Sequence, residues 1–146
     1  MSLANLVKTN QLQAHNPSRD AVQRLLEAAK RNLADAHVTE ISAENRFDAA
    51  YKCIMQCAML ALWVNGYRTS TSQPGHHQTA IQTLPTTIGL EQTRIIVLDA
   101  LRKQRNVSDY EGDPISDQTV IECIKQAELL RENISVWINK NRADLA

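Results

Sequence analysis

Glycine and proline are scarce in this sequence, with four of each among 146 residues. Collagen-like, linker and disordered chains are excluded by this scarcity and by a hydrophobic content of 43%. An excess of charge of one sign is also lacking, because 16 Lys and Arg balance 16 Asp and Glu. Any attraction to nucleic acid would therefore come from a local patch. We expect one globular domain over residues 1–146, large enough to fold without disulfides or a structural metal.

Long hydrophobic runs are absent as well. The longest uninterrupted apolar run is Cys57 to Val64, whereas a transmembrane helix needs about 20 such residues. Residues 1–15 lack the basic start and the continuous apolar core of a signal peptide. The three cysteines are odd in number and lie in apolar helical patterns, where a free cysteine behaves as a small hydrophobe. We therefore expect a protein that is neither exported nor membrane-spanning and that resides in the cytoplasm.

The fold class follows from where the helix breakers lie. Glycine and proline fall almost entirely between periodic segments, and no strand-like alternation of useful length is present, so the sequence predicts an all-α fold. A short first helix is predicted near Leu3–Leu12, and a second over Pro17–His37. Ser42 as N-cap and Gly66 as the residue after the C-terminus bound the third helix. Its second half is apolar nearly all round, so this helix is either central or also serves an interface.

The second half of the chain is predicted to contain a loop, a short helix and two longer helices. Arg68–Gly75 is interpreted as a mobile polar loop and His76–Leu84 as a short helix. The next helix, Leu90–Arg105, ends in a basic cluster, and Asp109–Pro114 is predicted to be an acidic turn. Ser116 then caps a long last helix. The predicted inner face of this helix carries Val120, Ile124, Ala127, Ile134 and Ile138.

A metal half-site is conceivable on the third helix. Cys53 and Cys57 lie four residues apart on one helix face, and His76 with His77 could supply the other half. Consecutive histidines on a helix diverge by roughly 100°, however, and the two cysteines lie among apolar residues. The familiar cofactor patterns, such as the P-loop and the Rossmann fingerprint, are absent. We therefore predict no metal site and no cofactor.

Two polar clusters remain, Gly75–His77 and Arg102–Tyr110, each at the end of an apolar helix. On spacing alone a structural interpretation is favoured for both. The histidines would begin a helix, and the basic residues would complement a helix dipole before the acidic turn.

Several short segments nevertheless occur in an order that spans most of the chain. They are Ala28-Ala29, Leu33-Ala34-Asp35-Ala36, Asn45-Arg46-Phe47-Asp48-Ala49-Ala50-Tyr51, Asn65-Gly66-Tyr67-Arg68, Gly75-His76-His77 and Leu101-Arg102 to Tyr110. Their order resembles the HEPN-domain superfamily, and in particular its SAV-type branch. The resemblance implies an up-down bundle of four main helices with short N-terminal and connecting helices. It also implies a homodimer that acts on or binds RNA or nucleotides in a toxin-antitoxin or defence system, with an antitoxin or a nucleotidyltransferase-type protein as partner.

The catalytic members of that superfamily have an Arg followed four to six residues later by a His, in a dimer cleft. A polar residue usually comes directly after the Arg. This chain has Arg105-Asn106, and Asp109-Tyr110 stand where that His would fall. Metal-independent RNA cleavage needs a base for the 2′-hydroxyl, a cation for the phosphorane and an acid for the leaving oxygen.

These requirements assign catalytic roles to five candidate residues. Arg102 or Arg105 would be the cation, because a guanidinium binds phosphate bidentately and keeps its proton. Asn106 would orient the phosphate or the ribose. His76 or His77 would supply the missing acid–base function, since histidine titrates near neutral pH.

Asp109, Tyr110 and Arg68 are the candidate ligand-binding residues. The Asp109 carboxylate and the Tyr110 hydroxyl could equally hold Arg102 or Arg105 in place at the helix end.

Two classes of function stay open. A nucleotide- or RNA-directed protein would bring the Arg and His clusters together in one cleft, with a shifted histidine pKa. A catalytically silent homodimeric interaction module would keep them apart or pair the arginines with Asp99, Asp109 and Asp113.

A third interpretation is a small-molecule site in the bundle core, lined by Met55, Met59 and Trp63. These residues are more often ordinary core at helical spacing. Tyr51, in the middle of the same helix, is likewise interpreted as a core residue with one hydrogen bond.

Overall fold

The computed structural model describes residues 2–146. Within that range the chain forms seven α-helices, two short β-strands and a terminal 3₁₀ turn. In chain order the elements are α1 (Leu3–Lys8), β1 (Leu12–Ala14), α2 (Arg19–Ala36), α3 (Ala43–Trp63), β2 (Tyr67–Thr69), α4 (His76–Gln82), α5 (Leu84–Ile88), α6 (Gln92–Glu111), α7 (Asp117–Asn141) and the 3₁₀ turn (Ala143–Leu145). The predicted all-α bundle is confirmed: α2, α3, α6 and α7 are its four main helices.

Serine caps begin three of the four main helices. The hydroxyls of Ser18, Ser42 and Ser116 each accept a hydrogen bond of 3.1 Å from the backbone N–H three residues later. Each bond satisfies one of the amides that a helix leaves free in its first turn. The caps at Ser42 and Ser116 were predicted, whereas α2 begins at Arg19 and not at Pro17.

Helix α3 lies at the centre of the bundle. It packs most extensively against α2 and α7, and it also contacts α4, α5 and α6. The apolar residues in its second half, such as Leu60 and Leu62, are fully buried within the chain. Their distribution around the helix is therefore explained by packing on several sides and does not indicate an interface. No helix in residues 2–146 is both long enough and apolar enough to cross a membrane.

The small sheet corrects two predictions. Leu12–Ala14 pairs antiparallel with Tyr67–Thr69, with Leu12 opposite Thr69. Leu12 was predicted at the end of a helix and a loop was predicted to begin at Arg68, and both predictions were wrong. Gly66, with φ of 93°, turns the chain after α3, and its carbonyl accepts a 2.9 Å hydrogen bond from the N–H of His15. Strands of three residues are too short to produce a readable alternation.

Helix α6 is longer than predicted and includes the residues assigned to an acidic turn. It continues past Arg105 to Glu111 and ends at Gly112, whose φ of 72° suits a C-terminal cap. No glycine or proline interrupts the intervening residues, and an ion pair between Arg105 and Asp109 joins successive turns. The extension places Arg102, Arg105 and Asp109 on one continuous helix.

The region between β2 and α6 contains two short helices where one was predicted. Helix α4 ends at Gln82, and α5 follows at Leu84 with Pro85 in its first turn. Proline is favoured there because a first-turn N–H has no intrahelical partner. Ala80 and Ile81 are buried and so anchor α4 to the bundle. This anchoring holds His76 and His77 at the N-terminal end of α4.

Candidate functional site

An open cleft of about 870 Å³ lies along α3. Its apolar part includes Val38, Ile41, Met55 and Met59. Its polar part includes Asp48, Tyr51, Lys52, His77 and Arg105. These polar residues come from α3, α4 and α6, so the fold gathers them from three separate stretches of the chain.

Tyr51 and His77 form the centre of the polar part. The Tyr51 hydroxyl lies 3.3 Å from Nδ1 of His77, and the two rings are tilted at 48° with centroids 6.0 Å apart. Tyr51 is buried, as predicted for a core residue with one hydrogen bond. Burial raises the pKa of Tyr51 to about 12, so this phenol stays protonated at neutral pH.

His77 is half-buried, and its environment disfavours the charged imidazolium. Burial lowers the pKa of His77, and the neighbouring charges of His76, Arg105 and Arg102 lower it further. His76 is close enough for a T-shaped contact, with ring centroids 4.7 Å apart. The neutral imidazole is therefore the dominant form at pH 7, which leaves one ring nitrogen able to accept a proton.

The hydrogen bond to Tyr51 determines what the other ring nitrogen of His77 can do. When Nδ1–H donates to the tyrosine oxygen, Nε2 carries a free lone pair and can act as a base. When the tyrosine hydroxyl donates to Nδ1, Nε2 carries the proton and can only donate a hydrogen bond. The direction of this hydrogen bond therefore decides whether Nε2 can accept a proton.

Arg105 places a positive charge beside this pair. Its guanidinium carbon lies 5.5 Å from the centroid of the Tyr51 ring, in cation–π contact. Its Nε also lies 2.9 Å from Oδ2 of Asp109, in an ion pair. Both side chains of this ion pair are about one-third exposed, so the interaction is weakened by solvent and salt.

Asp48 and Lys52 are part of the site and were missed by the sequence analysis. Burial raises the pKa of the Asp48 carboxyl, the nearby Asp109 raises it further, and Arg105 and Lys52 oppose this. Asp48, Lys52 and Arg105 thus line the cleft together, with Asp109 close enough to affect the charge of Asp48. The spacing of Asp48, Tyr51 and Lys52 on one face of α3 was the available signal, because residues three and four apart are neighbours on a helix.

Arg102 lies beside the cleft and is engaged by another residue. Its Nε donates to Oδ1 of Asp99 at 2.8 Å, and Lys103 approaches the other oxygen at 3.5 Å. The hydrogen bond from Arg102 lowers the pKa of the Asp99 carboxyl. The structure has features expected of both classes of function. The Arg and His clusters converge, as expected of a nucleotide- or RNA-directed protein. Two arginines are paired with Asp99 and Asp109, as expected of a silent module.

The remaining candidate residues occupy different places. Asn106 is half-buried on α6 next to Arg105. The side chain of Tyr110 is 83% exposed, and Asp109 makes the contact with Arg105; the expectation that Tyr110 helps to hold an arginine was therefore wrong. Arg68 lies on β2, where its Nε donates to Oε1 of Gln13 at 3.2 Å, and it does not line the cleft.

Of the three residues expected to line a small-molecule site, only the two methionines line the cleft. Met55 and Met59 line the same cleft as His77 and Arg105. Trp63 instead packs against His15, with ring centroids 5.1 Å apart. The two methionines therefore form an apolar wall beside the polar groups.

The cysteines considered as metal ligands lie in the core. Cys53 and Cys57 are fully buried. Across residues 2–146, no group of three or more His, Cys, Asp or Glu side chains is arranged to hold a metal ion.

No protein-family model matches the sequence, and no curated protein is significantly similar to it. The function is therefore inferred from the geometry and charge of the cleft.

Proposed function

We propose that the cleft binds the phosphate of a nucleotide or of an RNA strand, and that His77 moves a proton there without the help of a metal ion. One observation carries this proposal. The Tyr51 hydroxyl lies 3.3 Å from His77 Nδ1, and the Arg105 guanidinium packs on the same tyrosine ring. A neutral histidine, a phenol oxygen that can accept its Nδ1–H, and a cation thus meet at one end of an open cleft.

Arg105 and Lys52 are the residues that would bind the phosphate. A guanidinium presents two parallel N–H donors to phosphate oxygens, and an ammonium adds a second positive charge. The charged residues that line the cleft are balanced, with Asp35 and Asp48 against Lys52 and Arg105. Such a balance favours a single nucleotide or the end of an RNA strand over a long polyanion, which binds through many cations.

The apolar part of the cleft would hold the base. Val38, Ile41 and Met55 form an apolar wall. The flat face of a nucleobase is also largely apolar, so it can pack against this wall. The thioether of Met55 is polarizable and adapts to aromatic rings.

The reaction that these residues support is transesterification within RNA. His77 Nε2 accepts the proton of the 2′-hydroxyl while the 2′-oxygen bonds to phosphorus. Arg105 stabilises the extra negative charge on the phosphorane. The bond from phosphorus to the 5′-oxygen then breaks, and this oxygen takes a proton from water in the open cleft. The hydroxide that remains removes the proton from His77 Nε2, which restores the neutral imidazole. The products are a 2′,3′-cyclic phosphate and a 5′-hydroxyl.

The test is cleavage of a mixed RNA pool in a buffer with excess chelator. We expect cyclic phosphate ends from the unmodified protein and losses of roughly 100-fold or more in His77→Ala and Arg105→Ala, the scale of one acid–base or electrostatic group. Arg68→Ala and His37→Ala are matched controls that remove the same residue types outside the cleft. Equal cleavage by all variants would disprove the assignment of the site.

Phosphate binding can be tested separately from cleavage. Affinity for a mononucleotide should fall as salt rises, because binding involves ion pairs with phosphate. Arg105→Ala should weaken binding, whereas Arg68→Ala should not. Binding without cleavage would leave a nucleotide-binding module.

A second candidate function is a catalytically silent homodimeric module. The pairing of Arg102 with Asp99 and of Arg105 with Asp109 is one observation in its favour. Another is a set of exposed apolar side chains on α7, namely Ile121, Leu129 and Val136. Light scattering at tens of micromolar tests it: a dimer that becomes a monomer in Val136→Glu supports this module, and a monomer at that concentration excludes it.

The HEPN resemblance carries further proposals about biological context. We propose a role in a toxin-antitoxin or defence system, with an antitoxin or a nucleotidyltransferase-type protein as partner. We also propose a cytoplasmic location, because the three cysteines are free and buried, as is usual in reducing compartments. Copurification of a partner with the tagged protein from its native cells tests the first proposal.

A further inference from the structure

Three polar side chains that the proposed phosphate chemistry does not use line the cleft where α2 meets α3. They are Asn32, Asp35 and Gln56, and we call them the α2–α3 polar cluster. Asn32 and Asp35 are three positions apart on α2, so they are neighbours on the helix surface. Asn32 Nδ2 donates to Gln56 Oε1 at 2.8 Å, which joins α2 to α3. All three residues also line a smaller adjoining hollow between the two helices, so they lie close together.

The hydrogen bond between Asn32 and Gln56 determines which groups of the cluster are left for a ligand. Gln56 Oε1 is the acceptor in this bond, so the Nε2 group on the other arm of the amide is left as a donor. Asp35 is exposed and forms none of the ion pairs in residues 2–146, so both oxygens of its carboxylate can accept. The cluster therefore offers one donor beside two acceptors.

This arrangement of donor and acceptors matches the Watson–Crick edge of guanine. That edge has the O6 acceptor next to two donors, N1–H and N2–H₂, which point in parallel as a bidentate pair with a carboxylate requires. Adenine and cytosine have a ring-nitrogen lone pair in place of N1–H, and uracil has a carbonyl oxygen in place of N2–H₂. Each of these three bases would therefore turn an acceptor toward the carboxylate, which is repulsive.

The surroundings of the cluster suit the rest of a guanine nucleotide. Met55 and Met59 lie beside Gln56 on α3 and line the cleft, and their polarizable thioethers can pack on the face of the base. Arg105, the proposed phosphate ligand, reaches the same cleft from α6. The base and the phosphate of one nucleotide are separated by its ribose, so their binding groups are expected on different helices.

We propose that the α2–α3 polar cluster recognises guanine, so that the ligand of the cleft is a guanine nucleotide. The two carboxylate oxygens of Asp35 accept from N1–H and N2–H₂, and Gln56 Nε2 donates to O6. This inference rests on the proposed phosphate site and adds the identity of the base.

The test is titration with the 5′-monophosphates of guanosine, inosine, adenosine and cytidine at constant ionic strength, followed by the methyl NMR signals of Met55 and Met59. We expect guanosine monophosphate to bind about tenfold more tightly than the adenosine and cytidine nucleotides. Inosine monophosphate lacks only the N2–H₂ group and should bind roughly fivefold more weakly than the guanosine nucleotide. Equal affinity for all four nucleotides overturns this inference and leaves the phosphate site standing. Absence of binding by all four disproves the phosphate site and this inference together.

Variants assign the preference to the cluster. Asp35→Asn changes an exposed side chain and should remove most of the preference for guanine, because the new amide turns a donor toward the donors of the base. Asp20→Asn makes the same change on α2 outside the cleft and should keep the preference. Gln56→Glu replaces the donor with an acceptor and should weaken the guanosine nucleotide more than the adenosine nucleotide.

Arg105→Ala separates recognition of the base from binding of the phosphate. It should weaken all four nucleotides by a similar factor and leave their order unchanged. A guanine preference that is as large in Asp35→Asn as in the unmodified protein overturns the proposal.

Discussion

The hydroxyl of Tyr51 and Nδ1 of His77 lie 3.3 Å apart, although the two residues are 26 positions apart in the chain. This contact joins the central helix α3 to the N-terminal end of α4. It links the rigid core of the bundle to a histidine at the edge of the cleft. The orientation of the imidazole is therefore set by a buried side chain, which is what a proton-transferring group requires.

Removing the Tyr51 hydroxyl should weaken the fold slightly and disturb His77. Tyr51→Phe deletes one partly buried hydrogen bond, so we expect the free energy of unfolding to fall by about 1 kcal/mol. The preference for one imidazole tautomer should also weaken. Denaturant unfolding measures the first effect, and the ¹⁵N chemical shifts of the His77 ring measure the second. Tyr110→Phe is the matched control, because Tyr110 is 83% exposed. Equal effects of the two substitutions would contradict the contact.

Acidification should destabilise the protein through His77. The folded state lowers the pKa of His77 below its ordinary value of 6.5. As pH falls through 6.5, the unfolded chain therefore binds a proton before the folded chain does, and stability is lost. Burial lowers the pKa of His15 in the same direction, so both histidines contribute.

The measurement compares unfolding free energies from pH 7.5 to pH 5.5 for the unmodified protein and His77→Gln. We expect a smaller loss of stability in the variant, because one of the two contributing histidines is gone. His37→Gln, which changes an exposed histidine, serves as the control. A variant that loses as much stability as the unmodified protein would show that His77 does not titrate in this way.

Neutralising Asp109 should strengthen phosphate binding in the cleft. The Asp109 carboxylate forms an ion pair with Arg105, with Oδ2 2.9 Å from Nε, and so competes with a phosphate for this guanidinium. Asp109→Asn weakens that competition, and affinity for a mononucleotide should rise several-fold. Asp109 also raises the pKa of Asp48, so the Asp48 carboxyl should titrate at a lower pH in the variant. Calorimetry and carboxyl NMR measure the two effects. Asp113→Asn, at an exposed position beyond α6, should change neither.

Two adjacent leucines on α7 lie on different faces of this helix, one buried and one exposed. Leu130 is fully buried, whereas Leu129 is 42% exposed. Leu130→Ala should lower the free energy of unfolding by about 2–5 kcal/mol, because it removes buried methyl groups and leaves a cavity. Leu129→Ala should change it by less than about 1 kcal/mol. Chemical denaturation of both variants checks this, and losses of similar size would contradict the packing of α7.

The helices could be predicted well because their signals are local. The caps at Ser42 and Ser116 act on amides three residues away, and the five predicted inner residues of α7 are all buried. The end of α6 was misplaced at Arg105, since a basic cluster followed by acidic residues is compatible with either a turn or another helical turn. Gly112 was the better signal for its end.

The pairing of β1 with β2 was beyond prediction, because the register of Leu12 with Thr69 depends on where α1 and α3 end in space. The composition of the cleft could not be predicted for the same reason. His77 and Arg105 were predicted site residues, yet their meeting at Tyr51 required α4 and α6 to pack against α3. Asp48 and Lys52 were missed because nothing in the sequence marked that face of α3 as the wall of a cleft.

The sequence by itself determined the all-α fold class and the positions of the main helices, and it gave His77 and Arg105 as candidate site residues. Capping, helical periodicity and side-chain chemistry depend on residues within a few positions of each other, so they can be read along the chain. The tertiary structure alone decided which polar residues share the cleft and which arginines are paired with carboxylates. Those properties depend on burial and on contacts between helices that are distant in the sequence.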